Sequence, residues 1–157
     1  MVEKVFNKKK ELETFSNDQI KKCLEVGKFY IIHDGSQNGH PGYIIWKNDS
    51  RNLYLSIKFG TSKNENNKEF PHSLSNEGKN TYVYKRTFLG KRKDYGKTEF
   101  DKLLLGVNDF ELLKQIVNFD SPIHSKNISR KDIKFFNWIK KVPFIRGNCP
   151  ALRALLT

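Results

Sequence analysis

The sequence predicts an α+β domain, with a small antiparallel sheet or barrel over residues 27–96 and helices added over 97–157. Three observations carry this. Short apolar runs separated by turn-rich connectors fill the first half. Leu53, Leu55, Ile57 and Phe59 alternate with Tyr54, Ser56 and Lys58, the period of an antiparallel strand with one face buried. In the second half the apolar spacing lengthens to that of a helix, behind cap signals at Asn108 and Ser129. A chain of 157 residues has room for one such domain, 1–157.

Taken in order, residues 1–15 mix both charges and read as an arm. Ser16, with Gln19 three places on, opens a helix whose stripe is Ile20, Cys23 and Leu24 and which stops at Gly27. Phe29 to Ile32 is a strand, closed by the turn-rich loop Asp34 to Gly39. Tyr43 to Trp46 is a second strand, and residues 48–52 are a tight connector to the third. Residues 63–80 are polar and read as one long loop. Thr81 to Tyr84 resumes strand character. Lys97 to Leu105 reads as a short helix, and Asn108 with Glu111 starts another through Phe110, Leu113, Ile116 and Val117. Ser129 with Asp132 starts a third, which Pro143 ends. Pro150 opens a short last helix.

Composition narrows the function. Lys and Arg total 29 against 17 Asp and Glu, a net charge of +12, which points to a polyanion, nucleic acid first. Twelve Phe, six Tyr and two Trp argue for a core rather than a basic tail. No apolar run approaches a membrane span, and the first residues lack a secretory h-region, so a cytoplasmic protein is expected. Cys23 and Cys149 are too few for a disulfide framework or a cysteine zinc site, and read as buried reduced thiols. The four histidines have no metal-ligand spacing, no P-loop or nucleophile elbow is present, and no cofactor is expected.

The main chemical signal is GKFYIIHDGSQNGHPGYIIWKNDSRNLYLSIKFGTSK, residues 27–63. Its order is Gly, strand, loop, Gly39-His40-Pro41, strand, turn, strand, Thr61-Ser62-Lys63. This resembles the start of the MazF/PemK-like toxin ribonucleases, SH3-like barrels of bacterial toxin–antitoxin modules, including the type III ToxN-like toxins. The family has Arg-Pro at the second strand, where this chain has His40-Pro41, and closes the third with Thr-Ser or Thr-Thr, which the ToxN-like members continue into lysine. The resemblance covers about 40 residues. It implies that Thr61 and Ser62 hydrogen-bond a scissile phosphate and that Lys63 neutralises it. His40 is a base or acid in the arginine's place, since imidazole titrates near neutrality and guanidinium only holds charge. The same residues also suit ordinary roles: a turn histidine before a proline, and hydroxyls capping a loop.

A second signal interleaves bases with aromatics from Tyr82 to Gly96. Lys85, Arg86, Lys91, Arg92 and Lys93 suit phosphates, and Tyr95 a base stack. The two glycines around Lys91–Lys93 suggest a loop reaching toward substrate. The plain alternative is a solvated basic turn. His33 and Asp34 are strand neighbours and point to opposite faces; His72 and His124 read as solvated. Residues 126–146 carry seven basic side chains against Asp132, either an amphipathic helix with a solvated face or a second contact surface.

The expectation is therefore a metal-independent endoribonuclease toxin of a toxin–antitoxin or phage-defence system. It would cut single-stranded RNA by 2′-hydroxyl attack, leave a 2′,3′-cyclic phosphate, and be held by an antitoxin, either RNA or an acidic protein. Homo-oligomerisation is left open. The chief alternative is a non-catalytic basic nucleic-acid-binding module of a phage or plasmid. An adaptor for an acidic protein is a third reading.

Overall fold

The computed structural model describes residues 23–64, 67–117 and 121–141. The expected arm, the helix from Ser16, the stop at Pro143, Cys149 and the last helix after Pro150 lie outside the described residues, apart from the end of the first helix's stripe, where residues 23–26 are not helical.

The chain folds as an α+β unit with one eight-stranded, mainly antiparallel sheet. The strands are β1 (Phe29–Ile32), β2 (His40–Asn48), β3 (Leu53–Gly60), β4 (Lys68–Phe70), β5 (Thr81–Val83), β6 (Thr87–Gly90), β7 (Tyr95–Gly96) and β8 (Ile123–Ser125). Two helices are described, α1 (Val107–Ile116) and α2 (Arg130–Lys140). The order is β4-β5-β3-β2-β1-β7, with β6 also on β3 and β8 on β6. The β6–β8 pair is parallel and every other pair antiparallel. No helix among the described residues is long and apolar enough to cross a membrane.

Strands form at all three runs, and β2 extends beyond the expected Tyr43–Trp46 to His40–Asn48. A register shift between Ile44 and Trp46 in the β2–β3 pair is a bulge. Its extra residue lets Ile45 and Trp46 both enter one core, where strict alternation would separate them. That core also holds Phe29, Tyr43, Leu53, Leu55, Ile57 and Phe59, and α1 and α2 cover it with Leu113, Phe136 and Ile139. The other face carries a second, smaller cluster of Leu24, Ile32, Ile44, Tyr54, Phe88 and Tyr95.

That second cluster corrects the expectation of a half-buried β3. Tyr54 and Ser56 are buried as fully as Leu55 and Ile57, because Tyr95 and Phe88 cover them. The Ser56 hydroxyl meets the Tyr95 hydroxyl at 3.0 Å and donates to the Phe88 carbonyl at 3.3 Å, which satisfies polar groups that burial would otherwise penalise.

Four further expectations change. The 63–80 stretch contains β4 and is not one structureless loop. Lys97 to Leu105 makes turns and no helix. The helix read from Asn108 starts at Val107, because Asp109 Oδ2 accepts from the Gly106 N–H at 2.9 Å and closes the terminus from inside the first turn. The 97–157 region, read as mostly helical, contains β8. The Ser129 cap holds as read: its hydroxyl oxygen accepts from the Asp132 N–H at 3.1 Å. Cys23 is exposed and unbridged, against the expected burial.

Candidate active site

His40 opens β2 directly opposite Ile32, the last residue of β1. The loop between them must turn back within seven residues, and Gly39 makes this possible. Its φ is +68°, and a Cβ there would lie 2.6 Å from the Ile32 carbonyl oxygen. The loop also returns Asp34 onto His40. The carboxylate accepts at Oδ1 from the Ser36 hydroxyl at 2.7 Å and from the Ser36 N–H at 3.2 Å, a turn that aspartate builds readily. Its Oδ2 lies 2.8 Å from His40 Nδ1 and 2.6 Å from Lys58 Nζ. Lys58 reaches it because Lys58 pairs with Gly42 across β2–β3, and Gly42 is two residues from His40 on the same face.

The electrostatics follow from burial and charge. Asp34 is almost covered, with 3% of its side chain exposed. Burial alone would raise its carboxyl, but the Lys58 and Ser36 hydrogen bonds and the facing His40 hold it well below the usual carboxylate range. Asp34 is therefore an anion that only accepts. His40 Nδ1, 2.8 Å away, must carry the hydrogen of that bond. Burial lowers the His40 imidazole below its ordinary value; Asp34 opposes this and Lys58 adds to it. A neutral ring protonated at Nδ1 leaves Nε2 as the lone-pair nitrogen, and no described residue hydrogen-bonds to Nε2.

The ring lines an open cleft of about 730 Å³ together with Thr61, Ser62 and Tyr84. Thr61 and Ser62 follow the end of β3 and are exposed. Tyr84 Oη accepts from the Ser62 N–H at 3.3 Å, and its ring stands 5.8 Å from the His40 ring. A Cβ at Gly60 would collide with the Tyr84 phenol, so the bare glycine lets that ring lie across the strand end. The imidazole and the two hydroxyls thus line one cavity, and Tyr84 touches both His40 and the Ser62 backbone. The lining is mixed in charge: it includes Lys79, paired to Glu77 at 2.9 Å, together with Lys97 and Glu99.

Other expected residues fall elsewhere. Lys63 is exposed and does not line this cleft; Lys58 is the cation beside His40. Lys85 and Arg86 are exposed just before β6. Tyr95 is 3% exposed and bonded to Ser56, so its ring belongs to the second cluster and is not offered to a base. Lys91–Lys93 is no free loop. Lys91 holds Asp132 at 2.7 Å and the Arg51 carbonyl, Arg92 donates to the Tyr95 carbonyl at 3.1 Å, and Asp94 accepts from the Lys91 N–H at 2.8 Å. Those three cations border a separate pocket of about 530 Å³ with Tyr54 and Asn127.

Sequence reasoning missed Asp34, Lys58 and Tyr84 as site residues. The Asp34-x-Ser36 turn was the one local signal for the carboxylate; it folds the chain back toward His40. No protein-family model, no curated protein and no solved structure matches this chain.

Proposed function

We propose that this protein is a metal-independent endoribonuclease that cuts single-stranded RNA through its 2′-hydroxyl, acting as the toxin of a toxin–antitoxin or phage-defence system. The observation that carries the reading is the Asp34–His40 pair. An anionic carboxylate holds the ring at Nδ1 and leaves Nε2 basic at the wall of a cleft that also holds Thr61 and Ser62.

This arrangement supplies the base and the phosphate donors of the reaction. A ribose 2′-hydroxyl gives its proton to His40 Nε2 and attacks the adjacent phosphorus. Thr61 and Ser62 hydroxyls donate to the non-bridging oxygens as charge builds there. Lys58 keeps Asp34 ionised and adds positive field at the phosphate. Asp34 sets the tautomer and steadies the imidazolium that forms, as the orienting carboxylate of a catalytic triad does. As the 2′-oxygen–phosphorus bond forms, the phosphorus–5′-oxygen bond breaks and the departing oxygen takes a proton from solvent, so the products are a 2′,3′-cyclic phosphate and a 5′-hydroxyl.

The toxin part of the reading is supported by the resemblance of residues 27–63 to MazF/PemK-like toxins and by β3, which pairs with β5 at one end and β6 at the other, as a bent strand of an SH3-like barrel would. The net charge of +12 suits an RNA substrate and either an RNA antitoxin or an acidic protein one. It equally favours the alternative, a basic nucleic-acid-binding module without catalysis.

End-labelled RNA incubated in EDTA with the purified protein separates the two. Cleavage that persists in EDTA and falls at least ~100-fold in His40→Ala and Ser62→Ala is the expected result. Salt-sensitive binding without cleavage would establish the module instead.

A further inference from the structure

Helix α2 turns its two sides to different surroundings. Asp132, Phe136 and Ile139 are buried, and Phe136 packs on Trp46 of β2 with ring centroids 5.2 Å apart. Residues three and four apart share a helix face. Lys131, Lys134, Phe135, Trp138 and Lys141, which follows the last helical residue, therefore share an outer face. The three lysines are exposed, and no described acid pairs with any of them. Trp138 is 53% exposed and stands 6.1 Å from the half-buried Phe135 ring.

Cations continue past this face. The Arg51 guanidinium lies 4.2 Å from the Phe135 ring centroid. Arg51 and Lys91 both hold Asp132, at 3.3 and 2.7 Å, and Lys91 lines the pocket that Arg92 and Lys93 also border. The nearby acids do not offset this charge. Asp132 has two cations on it, and Asp49 of the pocket is paired to Lys47 at 3.1 Å. The result is a positive tract beside an uncovered indole. It is set apart from the Thr61–Ser62 cleft, because Trp46, which lies against α2, is about 20 Å along β2 from His40.

We propose that the outer face of α2 is a second binding site, for single-stranded RNA: an unpaired base stacks on Trp138 while phosphates beside it lie on Lys131 and Lys134. The site needs RNA as its ligand but does not need the cleft to cut it. An indole offers a flat surface to any unpaired base, and lysines on the same face neutralise the backbone that carries the base. A duplex keeps its bases stacked on one another and leaves none for Trp138. An acidic peptide would satisfy the lysines and leave the indole unused. A membrane surface asks for a broad exposed apolar face, whereas Phe136 and Ile139 are spent on the protein's own core.

The test measures binding by the full-length protein to a 2′-O-methyl single strand, which has no 2′-hydroxyl to attack with and stays whole. The strand is expected to quench tryptophan fluorescence, and Trp138→Phe to abolish that quenching, since Trp46 is buried. Trp138→Ala is expected to bind at least ~5-fold more weakly, with Trp138→Phe in between. Replacing Lys131 and Lys134 together by Ala should lower the slope of log affinity against log salt by about 1.4. All three positions are exposed, so melting temperatures should not move. His40→Ala should bind like the unaltered protein. An unchanged affinity in Trp138→Ala, or an equal loss on a duplex of the same sequence, would overturn the proposal. So would equal quenching by poly-glutamate, which would mean an acidic protein partner, or by phosphatidylserine vesicles, which would mean a membrane. Cleavage of ordinary RNA in EDTA reads the cleft separately. Binding that depends on Trp138 in a protein that cuts nothing would keep this site and overturn the ribonuclease reading; cutting with binding indifferent to Trp138 would do the reverse.

Discussion

Two histidine–aspartate pairs stand among the described residues, and only one lines the cleft that holds Thr61 and Ser62. His40 meets Asp34 through Nδ1 at 2.8 Å; His72 meets Asp109 through Nε2, with both carboxylate oxygens within 3.1 Å. Asp34 spends its remaining hydrogen-bonding capacity on Lys58 and on its own turn, so its charge serves the His40 ring. Asp109 spends one oxygen on the Gly106 N–H at the start of α1, and His72 lies edge-on to Phe70 of the main core. The first pair borders a cleft with hydroxyls; the second fastens a helix terminus to β4 and its following turn. A histidine beside a carboxylate is thus not evidence of catalysis. What else the carboxylate holds, and what the other ring nitrogen faces, decide the matter.

Four outcomes would sharpen that contrast or break it. The largest is expected at the first pair: His40→Ala should lose RNA cleavage at least ~100-fold while binding RNA nearly as before, read from single-turnover rates and from salt-dependent binding. Asp34→Asn should come next, because an amide no longer selects the ring tautomer; its rate should fall at least ~10-fold, with a lower melting temperature because Lys58 is left unpaired with only 13% of its side chain exposed. At the second pair the effects should reverse. Asp109→Ala should cost about 1 kcal/mol in a denaturant titration, the usual worth of a helix-capping group, and leave cleavage unchanged. An Asp109 variant that cleaved poorly while melting normally would erase the distinction.

The smallest effect concerns pH. The folded state holds His40 below its ordinary value of 6.5, so between those two values the unfolded chain binds more protons than the folded one. Stability from this group is then fully present above pH 6.5 and declines as the pH falls through the window below it. The melting temperature should drop on acidification below pH 6.5, and less so in His40→Gln. The same need for a neutral ring places the acid limb of kcat/KM below pH 6.5.

How much of this was legible in the sequence depends on the distance over which each feature is set. The strands around Phe29, Tyr43 and Leu53 and the Ser129 cap were legible, because alternation and capping are local. His40, Thr61 and Ser62 were legible as one group through the order of motifs in residues 27–63. Lys58 was not, since it reads as the exposed tooth of an alternating strand, and only the β2–β3 register lays it on Asp34. Asp34 was obscured by its neighbour His33, whereas its true partner lies six residues on across a turn. Tyr95 looked like a stacking ring because it follows a basic run; composition carries no information on which way a ring points, and here it closes a second core. β8 escaped notice because three residues after a proline show no period.

The central claim is that His40 takes the proton from a ribose 2′-hydroxyl. Mass spectrometry of the RNA ends made by the purified protein in EDTA tests it directly. The account predicts upstream fragments ending in a 2′,3′-cyclic phosphate and downstream fragments beginning with a 5′-hydroxyl. Fragments with 3′-hydroxyl and 5′-phosphate ends would mean that water, not the 2′-oxygen, attacks the phosphorus, and would contradict it.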